Sequence, residues 1–118
     1  MKTIAEIKRR ALQVLGAVAS GQPVSAEDEA SIDVSMVAER LADERIADLR
    51  PYLNDAGNLP EGLFIAFCDV VAADHAVIFG MAPDVAAVLK DRGERGVARI
   101  IRRTRPLVPL QIDRIVGG

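Results

Sequence analysis

The most constraining feature of this sequence is an apolar segment, residues 63–81, that has no polar face at the helical period. Pro60 is a favoured residue for the first turn of a helix and Gly80 for a C-cap, which together predict a helix over residues 60–79. A helix that is apolar nearly all round must be buried on every side. We therefore expect it to be the central helix, with the other elements packed around it.

The same segment is not expected to span a membrane. Asp69 and Asp74 lie near its centre, and each carboxylate costs roughly 2.5–3.5 kcal/mol on an insertion scale. The N-terminal residues are interrupted by charges and lack the uncharged apolar region of a signal peptide. The single cysteine, Cys68, excludes an internal disulfide and favours a reducing, intracellular setting.

The N-terminal residues carry the signals of a first helix. Thr3 and Glu6 have the spacing of a capping box, in which each side chain satisfies a backbone N–H group. Apolar residues then recur at the helical period, and Gly16 is placed to end the helix. The apolar stripe consists of Ile4, Ile7, Ala11, Leu12 and Leu15.

A second helix is predicted from Ser25, a good N-cap, to about Leu49, because Pro51 disfavours helical geometry in the residue before it. Acidic residues 27–29 would lie in its first turn, at the positive end of the helix dipole. Residues 51–60 have turn composition and predict a loop. The expected buried stripe of this helix is Ala30, Val34, Val37 and Leu41.

The last predicted helix opens at Pro83 and extends to about Arg103. Gly93 and Gly96 fall in its interior. Either they weaken it by roughly 1 kcal/mol each relative to alanine, or their spacing allows another backbone to approach closely. The expected inner face consists of Val85, Leu89, Val97, Ile100 and Ile101.

Residues 105–118 depart from this helical pattern. Pro106 and Pro109 exclude a regular helix over residues 105–110, yet the segment is too apolar for a solvated tail. We expect an extended arm that needs a groove or a sheet edge, in this subunit or another. The expected partner-binding residues are Leu107, Val108, Leu110, Ile112, Ile115 and Val116.

Composition supports a helical fold class. Half of the residues (50%) are hydrophobic but only 3% of the chain is aromatic, and faces rich in small aliphatic residues suit close helix–helix packing better than a β-sandwich. The length is that of one ordinary domain. We predict an all-α fold: a small bundle of about four helices over residues 1–104, with an extended C-terminal arm over residues 105–118.

Arginines on the last predicted helix form one charged face, roughly 110° from its apolar face at 100° per residue. One interpretation is contact with phosphates or with an acidic surface of a neighbouring subunit. The other is a solvated cationic face near a helix C-terminus, where positive charge is favourable in any case. The residues are Arg92, Arg95, Arg99, Arg102 and Arg103.

Charge is distributed unevenly along the chain, although the net charge is only −2. Residues 1–21 and 90–118 are net positive, whereas residues 22–89 are net negative. Separated zones of this kind favour head-to-tail association; the alternative is a monomer with solvated charged faces. An acidic chain with few aromatic residues is not typical of a DNA reader. We therefore expect the arginine face to meet the acidic residues 27–48 of an adjacent subunit.

Catalytic and metal-binding patterns are nearly absent. Cys68 and His75 would stand about 10 Å apart on one helix, too far for a nucleophile and its base, and one residue of each type does not make a zinc site. Asp69 and Asp74 do not share a helix face, so each is expected to cap a helix, to bond across the bundle or to face a neighbour. We expect no enzymatic activity, no cofactor and no metal, with Cys68 buried and His75 at the surface or an interface.

The order of these parts resembles the head–tail connector (head completion, or portal-adaptor) family of tailed bacteriophages. The resemblance covers most of residues 3–103. Its motifs are the helix end at residues 11–16 (ALQVLG), the helix start at 25–28 (SAED), residues 59–63 (LPEGL), the helix end at 79–80 (FG) and the helix start at 83–86 (PDVA).

The resemblance implies a virion protein of the neck that assembles in the host cytoplasm. Such a protein is a structural ring subunit, typically in twelve copies, that binds the portal, extends the DNA channel and docks the tail or a stopper or terminator protein. DNA would pass through without sequence-specific binding, and no membrane is involved. Extended termini in the family reach onto neighbours or the portal, which fits the apolar arm. The alternative is a small helical regulatory or adaptor protein of cellular origin that contacts DNA through the arginine face.

Overall fold

The protein is all-α over the residues that the computed structural model describes, 3–18, 21–53 and 59–104, and no β-strand occurs in those ranges. Four helices of 10 to 22 residues form the bundle, which confirms the predicted fold class. The predicted arm and its six apolar contact residues lie outside the described ranges. The elements are α1 (Ile4–Val14), α2 (Ala26–Ser31), α3 (Val34–Asp43), a short 3₁₀ turn (Arg50–Tyr52), α4 (Glu61–Asp74) and α5 (Pro83–Thr104).

Helix α1 matches its prediction closely. The Thr3 hydroxyl accepts a hydrogen bond from the Glu6 N–H at 3.2 Å, and the Glu6 carboxylate accepts one from the Thr3 N–H at 2.9 Å. This is the predicted capping box. Gly16, with φ +78°, follows the helix in a left-handed conformation that glycine adopts without steric cost. The apolar stripe buries Ile7, Ala11 and Leu12 against the rest of the bundle.

The second predicted helix is wrong as a single element, because the chain breaks at Ile32 and Asp33. Both residues have extended backbone conformations that separate α2 from α3. The Asp33 carboxylate accepts a hydrogen bond from the Met36 N–H at 3.0 Å and so acts as the N-cap of α3. The Asp33 N–H donates to Nε2 of His75 at 2.9 Å, which holds it outside any continuous helix.

The end of this region also differs from its prediction. Helix α3 ends at Asp43 rather than near Leu49, because Arg45 adopts a positive φ of 59° that stops helical propagation. Of the predicted buried stripe, Val34, Val37 and Leu41 are buried, whereas Ala30 is exposed on the short helix α2.

Helix α4 is the central element, as predicted: it packs most extensively against α5 and also contacts α1 and α3. Phe67, Val70 and Val71 on it are fully buried. It ends at Asp74, earlier than the predicted Phe79, and residues 75–80 form turns instead. Within the described part of the chain, no helix is both long and apolar enough to cross a membrane.

Two glycines bring α5 close to α4. A Cβ atom at Gly93 would lie 2.7 Å from Val70 Cγ2 and 2.9 Å from the Ala66 carbonyl oxygen, and one at Gly96 would lie 2.9 Å from Ala66 Cβ. Real side chains do not tolerate such distances without displacement of the neighbour. Of the two interpretations of these glycines, the structure supports close backbone approach.

Replacing Gly93 with alanine should therefore destabilise the fold, although alanine favours helices. We expect a net loss of about 2 kcal/mol in the free energy of unfolding, because overpacking of a close contact typically costs about 1–3 kcal/mol. Urea denaturation followed by circular dichroism would measure it.

Gly62→Ala is the matched control, because a Cβ atom there would only reach ordinary contact, 4.0 Å from Ile100 Cγ2. That variant should be as stable as the wild type or slightly more stable. Equal stability of Gly93→Ala and the wild type would contradict the close packing of α4 and α5.

Candidate functional site

The outward face of α5 is the strongest candidate for an interaction site. One side of this helix packs on α4, and the opposite side points to solvent. Arg92 and Arg95 have side chains that are 67% and 80% exposed, and Arg99 and Arg102 are exposed as well. Four of the five arginines predicted to share a face therefore do so, while the side chain of Arg103 lies outside the described part of the chain.

Ion pairs within the protein hold two of these arginines only weakly. Nη2 of Arg92 lies 3.5 Å from a carboxylate oxygen of Asp69, and Nε of Arg95 lies 3.1 Å from a carboxylate oxygen of Asp91 one turn away. The Arg95–Asp91 pair is exposed on both sides, so it contributes little to stability and exchanges readily. The Arg92–Asp69 contact is long and joins a buried carboxylate to an arginine side chain that is 67% exposed. Both guanidinium groups can therefore also meet a ligand or a neighbouring protein.

Asp69 lies at the edge of this face, beside an open cleft. Burial raises the pKa of Asp69 above its ordinary value, and the nearby charges of Arg92 and Arg10 oppose that rise. Arg10, Arg92 and Arg99 line the cleft, which has a volume of about 360 Å³. Three guanidinium groups around one carboxylate leave net positive charge there, so the cleft suits an anion or an acidic side chain.

The N-terminal half of α5 presents apolar side chains on the same outward side. Val88 is 66% exposed and Val85 is 52% exposed. The prediction that Val85 belongs to the inner face is wrong, because α4 ends at Asp74 and does not extend far enough to cover the first turns of α5. A groove of about 460 Å³ is found here, with Val14, Met81 and Leu89 among its lining residues.

More apolar surface is exposed in the connection between α4 and α5. Val77 is 91% exposed and Ile78 is 63% exposed, although both follow the largely buried helix α4, on which Ile65 is itself 58% exposed. Large aliphatic side chains grouped at one end of a small bundle are typical of a protein–protein contact rather than of a surface that faces water alone. The outward face of α5 and this apolar connection are the candidate contact surface.

Cys68 and His75 have structural environments. The prediction that His75 lies at the surface or an interface is wrong: it is 2% exposed. Its Nε2 accepts from the Asp33 N–H at 2.9 Å, so Nδ1 carries the proton that it donates to the Val71 carbonyl at 2.8 Å. Cys68 is buried as predicted, with its sulfur 3.8 Å from the Ile7 carbonyl oxygen. Both ring nitrogens of His75 are thus occupied by backbone groups and are not available as a catalytic base.

A cluster of charged side chains, not anticipated from the sequence, fixes α3 relative to α4 and α5. The Arg40 guanidinium donates to both carboxylate oxygens of Asp74, at 2.8 and 3.0 Å, and to Glu94 at 2.8 Å. Burial lowers the pKa of Arg40, but the bonds to Asp74 and Glu94 outweigh this effect and raise it overall. The expectation that Asp74 bonds across the bundle is confirmed. The missed signal was that Arg40 lies three residues after Val37, which places it at the edge of the buried stripe of its helix.

The described surface combines exposed apolar side chains with exposed guanidinium groups. Among the described side chains, no group of three or more His, Cys, Asp or Glu residues is arranged to hold a metal ion. No protein-family model, curated protein or solved structure matches this chain.

Replacing Arg40 with alanine should leave the carboxylates of Asp74 and Glu94 partly buried and close to each other without a cation. We expect a loss of about 2–3 kcal/mol in the free energy of unfolding, somewhat below the range for a fully buried pair because the Arg40 side chain is still 23% exposed. Chemical denaturation at low ionic strength would measure it.

Arg50→Ala is the matched control, because Arg50 pairs with Asp48 in an exposed contact at 2.8 Å. It should change stability little, since solvent and salt screen such a pair. If the two variants were equally stable, Arg40 would not hold the three helices together.

Proposed function

We propose that this protein is a structural ring subunit of a bacteriophage head–tail connector, which binds the portal, extends the DNA channel and docks the tail. The observation that carries the proposal is the exposed surface formed by the outward face of α5 and the connection that precedes it. The order of sequence motifs supports the same assignment, because it resembles that family. A small helical bundle with exposed apolar and charged surfaces suits a subunit that works by assembly.

Energetics favour a ring over an isolated pair of subunits. Four aliphatic side chains on this surface are more than half exposed: Val77, Ile78, Val85 and Val88. Burying each of them in a contact would contribute on the order of 1–2 kcal/mol to the free energy of association. Association costs an estimated 4–15 kcal/mol in lost freedom, so a single contact of this size gives a weak complex. A closed ring gives every subunit two such contacts, and linked contacts raise the overall affinity well above that of one.

Charge would set the orientation of the subunits. Helices α2 and α3, which belong to the net negative residues 22–89, expose the carboxylates of Glu27, Glu39 and Asp43. The outward face of α5 is cationic. Complementary zones steer association and fix its register. In a connector, acidic residues left uncovered on the channel wall would also repel the DNA backbone, so that DNA slides without binding tightly.

A regulatory or adaptor protein of cellular origin is the second candidate, because the cleft between Arg10, Arg92 and Arg99 suits an anion such as a DNA phosphate. That function would need the arginine face to neutralise phosphates, which gives binding a steep dependence on salt concentration. The acidic balance of the whole chain, with a pI near 5.4, weighs against it.

Portal binding tests the first candidate. We expect the full-length chain to co-sediment with a purified portal ring encoded in the same genome, and a variant lacking residues 106–118 to lose that binding. The apolar arm would no longer be available to dock, while the far-UV circular dichroism of the bundle should keep its helical shape. A truncated variant that binds the portal as tightly as the full chain would refute the role of the arm, and a full chain that does not bind would refute the connector assignment.

DNA binding separates the two candidates. The triple variant Arg99→Ala, Arg102→Ala and Arg103→Ala should differ little from the wild type in fluorescence anisotropy with duplex DNA, because a connector has little DNA affinity to lose. A regulator would instead lose affinity and show a shallower salt dependence, by roughly one unit of slope per lost phosphate contact. Arg50→Ala, which removes an exposed arginine outside α5, is the control.

A further inference from the structure

The outward residues of α5 follow a regular spacing. Steps of three and four residues alternate along the helix, which places them in one straight seam of the kind that packs against another helix. The first two residues are apolar and the remaining four are cationic. We call this set the α5 stripe; it consists of Val85, Val88, Arg92, Arg95, Arg99 and Arg102, all exposed.

Helix α3 carries a shorter stripe with the opposite charge. Met36, Glu39 and Asp43 are spaced by three and then four residues, and all three are exposed, Met36 to 47%. We call these residues the α3 stripe. It too begins with an apolar side chain and continues with charged ones, but its charges are acidic.

The middle of the α5 stripe matches the α3 stripe in length and is opposite to it in charge. At 1.5 Å per residue, Val88 to Arg95 and Met36 to Asp43 both span about 10.5 Å. If the helices run parallel, Val88 lies opposite Met36 and Arg95 opposite Asp43. Arg92 and Glu39 then differ in height by only about 1.5 Å. An antiparallel arrangement would instead place Met36 against an arginine and a carboxylate against a valine.

We propose that the α5 stripe of one copy of this protein binds the α3 stripe of the next copy, with the two helices parallel. The inference rests on the proposed ring function and specifies the contact between subunits. The two stripes lie on different helices, so every copy can use both at once. A contact between two different surfaces repeats from copy to copy and closes into a ring when the rotation allows.

Existing ion pairs do not prevent this contact. Arg95 pairs with Asp91 in an exposed contact that exchanges readily. Arg92 stays near the buried Asp69 carboxylate at 3.5 Å, but its side chain is 67% exposed and can meet a second carboxylate. Beside the α3 stripe, the hydrogen bond to Asp48 is the main cause that raises the pKa of Arg50. The charges of Asp43 and Glu39 raise it less, which shows that both carboxylates are near Arg50. The bond to Asp48 occupies the Arg50 guanidinium, so the carboxylates of the α3 stripe can receive a partner's arginine.

Charge reversal provides the test. Arg95→Glu and Asp43→Arg should each weaken self-association by about tenfold or more in sedimentation velocity at low salt, because each places like charges opposite each other. Mixing the two variants in equal amounts should restore association to near the wild-type level. In the mixture, the carboxylate introduced on α5 of one variant meets the guanidinium introduced on α3 of the other. The unchanged Arg95 and Asp43 pair at the next contact, so the two variants alternate along the assembly.

Lys90→Glu is the control, because it makes the same charge change at an exposed position of α5 outside the stripe; it should associate like the wild type. Circular dichroism should show that all variants keep the helical fold. The pairing is overturned if the wild type stays monomeric at its highest soluble concentration, if the single variants associate normally, or if mixing them restores nothing. If the single variants associate normally and the protein binds the portal, the stripe pairing is wrong but the connector proposal is not contradicted. If mixing restores association but the protein does not bind the portal, the stripe pairing is supported and the connector proposal is wrong.

Discussion

The close approach of α5 to α4 at Gly93 and Gly96 determines how the rest of this protein is presented. A helix that turns its glycines toward a neighbour also fixes which side chains point away from it, since residues keep constant angular positions around the axis. Because that contact does not tolerate a Cβ atom, α5 has little freedom to rotate about its axis. The valines and arginines of α5 are therefore exposed in one row because Gly93 and Gly96, which lack side chains, face α4 on the other side of the helix.

Arg40 fixes the position of α3 relative to the packed helices α4 and α5. Replacing a buried ion pair with apolar residues often leaves the free energy of unfolding unchanged or raises it. We therefore interpret the Arg40 ion pairs as interactions that favour one packing arrangement over others. Here the arrangement selected is the position of α3 relative to Asp74 on α4 and Glu94 on α5. The acidic outward residues of α3 and the cationic ones of α5 are thus held at a fixed separation within each molecule, which a repeating contact between molecules requires.

The sequence predicts the parts of the fold that depend on neighbouring residues. The capping box of α1, the start of α5 at Pro83 and the shared arginine face all follow from local spacing. The break between α2 and α3 does not, because it depends on a hydrogen bond between Asp33 and His75, which are distant in sequence. The exposure of Val85 was also missed, since a periodic pattern assigns an apolar residue to the inner face whether or not a neighbouring helix reaches it.

His75 joins the start of α3 to the last turn of α4, and this has a consequence for how the protein opens. The ring bridges the Asp33 N–H and the Val71 carbonyl, so fraying of the end of α4 would release the first turn of α3 at the same time. Segments linked in this way exchange their amide hydrogens as one cooperative unit rather than residue by residue. The His75 junction, which lies directly before the exposed residues 77 and 78, is therefore expected to open as one unit with the start of α3.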